Sequence, residues 1–217
     1  MTPQDITSIV ANQRAYFKSG ATLDVEGRLR ALRTLRAAIV TYEDVITSAL
    51  QRDLGKSSTE SIMCEIGMVK SALNHMLRHG ARYAKTKRVR TPLAQFPATS
   101  MRKPSPYGVV LVMSPWNYPF LLTLEPVIEA IAAGNTVVVK PSAYSPHTSN
   151  VLEKVLSQYF DPRLITVVTG GREENQALLD QAFDHIFFTG SQRVGKEVMR
   201  KASAHLTPVT LELGGKS

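Results

Sequence analysis

A few residues in this chain have the type and spacing that chemistry needs. Asn117 carries a side-chain amide, Glu212 a carboxylate and Lys140 an ammonium, each at or just past the end of a β-prone run. The stretch 185–200, HIFFTGSQRVGKEVMR, runs from a β-prone apolar segment through Gly190 into helix-compatible residues. Such a strand–turn–helix unit leaves the first helical amides unpaired. They and the helix dipole favour an anion, most often a phosphate. Gly190 is expected to end the strand in a sharp turn, and Gly195 to admit a close approach of helix or ligand.

Two neighbouring motifs fail. The sequence from Gly190 to Lys196 follows the Walker A loop, but the next residue is Glu197, which has no hydroxyl for magnesium. The G-x-G-x-x-G fingerprint fails at its middle glycine, where Ser191 and Gln192 stand. Spacing alone fits a plain turn as well as a phosphate site. Asn117 can likewise be a turn residue, Lys140 a surface cation and Glu212 an exposed strand residue.

The remaining candidates read as structural. Cys64 is the single cysteine, which fits a reducing cytoplasm, and it lies on a helix as packing. His75 and His79 are four apart with no third ligand nearby, so no metal site is expected. The net charge of +8 is uneven: residues 1–104 hold 17 Lys and Arg against 8 Asp and Glu, and residues 105–217 hold 9 against 10. The basic run from Arg78 to Arg90 has Tyr83 as its only aromatic, so no stacking platform for nucleic acid is expected. No apolar run approaches a membrane span, and MTPQDITSIV lacks the pattern of a signal peptide.

Elements must position these groups. Helical periodicity covers 5–17, 24–54 (a stripe of Leu29, Leu32, Leu35, Ile39, Ile46 and Leu50) and 58–80 (Ile62, Ile66, Val69, Leu73 and Leu77), with Gly55 as a C-cap. Residues 81–104, with Pro92 and Pro97, read as edge strands or an extended arm. From residue 105 short β-prone runs alternate with helical ones. This predicts a Rossmann-like α/β fold, a parallel sheet with helices on both faces. Ligands then bind beyond the carboxyl ends of the strands, where Asn117, Lys140, Gly170, Ser191 and Glu212 are expected to converge.

SPWNYP at 114–119, VVVKPS at 137–142, FFTGSQRVG at 187–195 and LELGGKS at 211–217 resemble the aldehyde dehydrogenase superfamily, in order and along nearly the whole chain. DLGKS at 53–57 is similar to the class 3 branch, which takes fatty or aromatic aldehydes. The resemblance implies NAD or NADP as cofactor and an aldehyde as substrate. Asn117 would stabilise the oxyanion and Glu212 would activate the water that hydrolyses a thioester. Trp116, Lys140, Gly170, Gly190 and Ser191 would hold the cofactor, with Val194 and Gly195 packing below. It also implies three parts: helices at 1–80 belonging to the cofactor-binding domain, a projecting subunit-joining hairpin at 81–104, and an NAD(P)-binding core at 105–217. A homo-oligomer, a dimer in the parent enzyme, goes with that hairpin.

Two departures qualify the resemblance. Ala143 stands where the family often places an acid that binds the ribose 2′-hydroxyl, which implies that NADP is tolerated. The family's nucleophilic cysteine follows the glycine pair matched by Gly214 and Gly215, and its catalytic domain has no match here. The expectation is an N-terminal portion, inactive alone; the alternative is a stand-alone nucleotide-binding module.

Overall fold

The computed structural model describes residues 1–215; Lys216 and Ser217, the end of the LELGGKS motif, lie outside the described residues. Helix α1 (Pro3–Lys18) starts with a reciprocal cap, in which Thr2 Oγ1 accepts from the Asp5 amide and the Asp5 carboxylate from the Thr2 amide. Asp24 caps α2 (Val25–Thr41). The expected single helix over 24–54 is two helices: Tyr42 leaves helical geometry and α3 (Glu43–Leu54) starts anew. The break lets α3 lie against a later helix, α7 (Pro146–Tyr159), where the Tyr42 ring meets Tyr159 edge-on and its hydroxyl donates to Gln158. Gly55 ends α3 in the left-handed conformation expected of a C-cap.

The next helical stretch departs from its expected stripe. Between α4 (Ser58–Ser61) and α5 (Gly67–Tyr83), residues Ile62–Ile66 form a π turn, in which the Gly67 amide donates to Ile62 O. The extra residue rotates the face. Ile62 is 41% exposed, whereas Glu65 is fully buried beside Ile66. A Cβ on Gly67 would lie 2.6 Å from Ile62 O, so the π turn needs glycine there.

Strands β1 (Lys87–Val89) and β2 (Ser100–Arg102) pair antiparallel as a separate ribbon. Leu93 and Phe96, between them, are 91% and 84% exposed.

The main sheet contains β3 (Val109–Met113), β4 (Thr136–Lys140), β5 (Ile165–Val167), β6 (His185–Gly190) and β7 (Val209–Leu213), all parallel, in the order β5-β4-β3-β6-β7. The connecting helices are α6 (Leu121–Ala133), α7, α8 (Arg172–Leu179) and α9 (Gln192–Ala202). Alternate residues face opposite layers. Val110, Val112, Val137, Val139, Ile165 and Val167 join the core of α2, α3, α5, α6 and α7. Val109, Leu111, Met113, Val138, Ile186 and Phe188 join that of α1, α8 and α9. The α/β fold with a parallel sheet covered on both faces is therefore the one expected from the alternation of elements. Strand order reverses direction between β3 and β6, and ligands in such sheets bind where that happens.

Gly190 ends β6 as expected, but as its last paired residue, in register with Leu213 and not among the glycines with positive φ. Its missing side chain serves packing: a Cβ would lie 2.6 Å from Cζ of the Phe188 ring.

Candidate functional site at the carboxyl edge of the sheet

Lys140 ends β4 and lies in register with Met113, so it faces the α1, α8 and α9 layer. It is buried, which removes the surface-cation reading. Its ammonium donates to Pro141 O at 2.8 Å and to Gly170 O at 2.7 Å, leaving one N–H for a further acceptor. Burial pulls its pKa from 10.5 to about 8, against the opposing field of Glu174. The Glu174 carboxylate accepts from the Gly171 amide, and backbone hydrogen bonds hold its own pKa below the ordinary value. The turn after β5, with Gly170, is thus fastened to the end of β4.

Ser191 is the N-cap of α9, and its hydroxyl accepts from the Val194 amide at 3.4 Å. Ser191 O accepts from the Gly195 amide. No acceptor among the described residues engages the Gln192 and Arg193 amides, which stay available at the positive end of the helix. Gly195 is buried, and a Cβ there would lie 2.9 Å from Leu213 Cδ2. Of the two approaches expected at Gly195, the structure shows helix on strand. Val194 packs partly buried on the same core.

Asn117 and Trp116 are exposed in the segment that follows β3. The segment is pinned at both ends: the Ser114 amide donates to Lys140 O, and Thr123 Oγ1 contacts Ser114 Oγ and Pro119 O at 2.5 Å each. Asn117 Oδ1 accepts from the Tyr118 amide at 3.1 Å, so the side-chain NH₂ is the group left to donate. Glu212 pairs in register with Thr189 on edge strand β7 and is exposed. Val209 and Leu211 face the α9 layer, so Glu212 faces the opposite one, that of α6, whose N-terminus follows the Asn117 segment. Thr189 Oγ1 is buried with no partner among the described residues.

All the expected site residues fall at this edge, and register sorts them. Lys140, Gly170, Ser191, Val194 and Gly195 gather on the α8 and α9 side, while Asn117 and Glu212 belong to the α6 side. The arrangement can hold a polar, anionic ligand along one face and present an amide donor and a carboxylate on the other.

Sequence reasoning missed Lys56 and Glu65. Glu65 accepts from the Phe120 and Leu121 amides at 2.8 and 3.1 Å and from Lys56 Nζ at 2.5 Å; Lys56 Nζ also donates to Asn117 O at 3.0 Å. The signal was an acid three residues after Ile62 and four before Val69, on an apolar stripe that should exclude charge.

Residues 1–217 match the family model described as Aldehyde dehydrogenase family. Aldehyde dehydrogenase family 3 member H1 of Arabidopsis thaliana is 43% identical over 213 residues, 98% of this chain and 44% of that protein. A substrate-bound structure of Staphylococcus aureus AldH superposes with a TM-score of 0.96 at 44% identity, over 98% of this chain and 46% of the other. A Mycobacterium tuberculosis aldehyde dehydrogenase complexed with NAD+ superposes with a TM-score of 0.89 at 31% identity, over 100% of this chain and 45% of the other. The chain thus spans a little under half the length of these relatives.

Proposed function

The chain belongs to the aldehyde dehydrogenase family, and from that premise we infer that it forms the NAD(P)-binding half of a class 3-like enzyme that oxidises aldehydes to carboxylates. One observation carries the reading: a buried lysine with a spare N–H and a helix end with two spare amides lie on one face, while an amide donor and a carboxylate lie toward the other. The residues present fit a dinucleotide, since these donors match ribose hydroxyls and a diphosphate.

When bound, NAD or NADP would accept hydride from the substrate carbon. Lys140, seated on Gly170 O, would donate to the adenosine ribose. Gly190, Ser191 and the first amides of α9 would cradle the diphosphate, with Val194 and Gly195 packing beneath and Trp116 beside the cofactor. Asn117 Nδ2 would donate to the oxyanion as it forms, which lowers the barrier because the donor is already aimed. Glu212 would take the proton of the water that hydrolyses the acyl group. Ala143 leaves no carboxylate to repel a 2′-phosphate, so both NAD and NADP are accepted.

The only cysteine, Cys64, sits in the π turn with no base hydrogen-bonded to it among the described residues. Nothing there activates a thiolate. The nucleophile then comes from outside these 217 residues, which alone do not oxidise aldehydes. The division into helices at 1–80, hairpin at 81–104 and core at 105–217 belongs to the same reading, with the hairpin joining subunits of a homodimer in a reducing cytosol.

Purified chain titrated with NAD and NADP, following Trp116 emission, should bind both. With an aldehyde panel it should produce no reduced cofactor. Absence of binding overturns the cofactor reading, reduced cofactor overturns the claim of inactivity, and strong preference for NAD overturns dual use. Lack of a local nucleophile also favours a second reading, a binding module without catalysis. Mixing with a cysteine-bearing second half of a family member separates the two, because turnover supports the enzyme and none supports the module.

A further inference from the structure

Glu65 and Lys56 form a buried pair that the proposed chemistry does not use. Their side chains are 0% and 8% exposed, with Glu65 Oε1 and Lys56 Nζ 2.5 Å apart. Both partners act at one place in the fold. Helix α6 has no side-chain cap of its own at Phe120. Glu65 supplies the missing acceptor from another helix, taking the Phe120 and Leu121 amides on its second oxygen. A carboxylate there also meets the positive end of α6. Lys56 continues the chain of contacts by donating to Asn117 O, and its ammonium lies 3.9 Å from the centre of the Tyr118 ring. Four of the five positions from Asn117 to Leu121 are therefore touched by this pair, Pro119 being the exception.

The π turn explains how an acid on an apolar stripe reaches this position. Its extra residue turns Glu65 inward, and Gly67 leaves room for the turn. A buried ion pair is weak evidence for stability, because desolvation offsets most of its attraction. What it does well is fix one arrangement of the groups around it.

We propose that Lys56 and Glu65 are positioning residues for Asn117: the pair fixes the backbone of 117–121 and thereby the aim of the Asn117 amide toward the reacting oxygen. The proposal rests on the reading of Asn117 as an oxyanion donor. Its structural half is testable without that chemistry.

Trp116, the only tryptophan in the chain, adjoins Asn117 and reports on the segment. The test uses the full chain and its Lys56→Met and Glu65→Gln variants. Trp116 fluorescence anisotropy, acrylamide quenching and the NMR position of the Asn117 side-chain amide are measured for each. Both variants should lose anisotropy, gain quenching and shift the Asn117 resonance. Asp53→Ala is the control. Asp53 lies in the same DLGKS stretch and caps α7 through the His147 and Thr148 amides, so its loss destabilises the fold without touching the Asn117 segment. It should leave the Asn117 resonance in place. Equal responses in control and variants, or none in the variants, overturn the proposal. Should the variants not fold, hydrogen exchange in the wild-type chain decides: the Phe120 and Leu121 amides should be protected, and fast exchange at both overturns the proposal. Asn117→Ala in enzyme assembled with a cysteine-bearing half tests the underlying reading separately. Unchanged turnover there sinks the oxyanion role, whatever the Trp116 result.

Discussion

At the scale of single residues, Lys140 gives the sharpest prediction. Its type and its place after a β-prone run were legible in the sequence, but its burial and its two carbonyl partners were not. A lysine whose pKa falls to about 8 in the folded state loses its proton there before the unfolded chain does, at 10.5. Between those values the unfolded state holds more protons, so stability rises with pH across that window. The buried cation therefore destabilises the fold below about pH 8, by up to about 3 kcal/mol. Urea melts from pH 7 to pH 10 should show this rise in the wild type, and Lys140→Met should flatten it. A ligand phosphate near Lys140 prefers the charged form, so NADP affinity should weaken as pH passes 8. Affinity independent of pH would separate Lys140 from the 2′-phosphate.

Among the elements, β6 and α9 show why spacing alone left a plain turn and a ligand site equally open. Gly190 and Gly195 were legible as requirements for small residues, but not what each one faces. Gly190 sits over the Phe188 ring, which is buried in the core. Gly195 faces the tip of Leu213, a flexible side chain 40% exposed on an edge strand. Gly190→Ala should therefore destabilise more than Gly195→Ala in denaturant melts, and the reverse order would refute this account of their packing. Ser191→Ala should remove the N-cap at a cost of about 1 kcal/mol. The 24–54 and 58–80 stretches teach the same lesson. Periodicity identifies a helix, yet neither the break at Tyr42 nor the π turn leaves a mark in it, because both arise from what the helix packs against.

For the molecule as a whole, two of the most exposed large apolar side chains lie where a partner is expected. Leu93 and Phe96 stand out from the β1–β2 ribbon, and β7 leaves one sheet edge unpaired among the described strands. Sedimentation should show self-association that grows with concentration. Leu93→Lys with Phe96→Lys should reduce it if the ribbon is the contact; unchanged association would move the contact elsewhere, to the β7 edge first. Among the described residues no helix is long and apolar enough to cross a membrane.

The sequence by itself determined the alternation of strands and helices, the parallel sheet and the placing of Asn117, Lys140, Gly170, Ser191 and Glu212 near strand ends. Each follows from local periodicity and glycine punctuation, which act over a few residues. Only the tertiary structure decided the strand order, the register that divides these residues between two faces, and the Lys56–Glu65 pair beneath Asn117. Those depend on contacts between different elements of the fold, 61 residues apart in the case of Lys56 and Asn117, and in a charged residue on an apolar stripe the sequence records that a partner is needed without saying which.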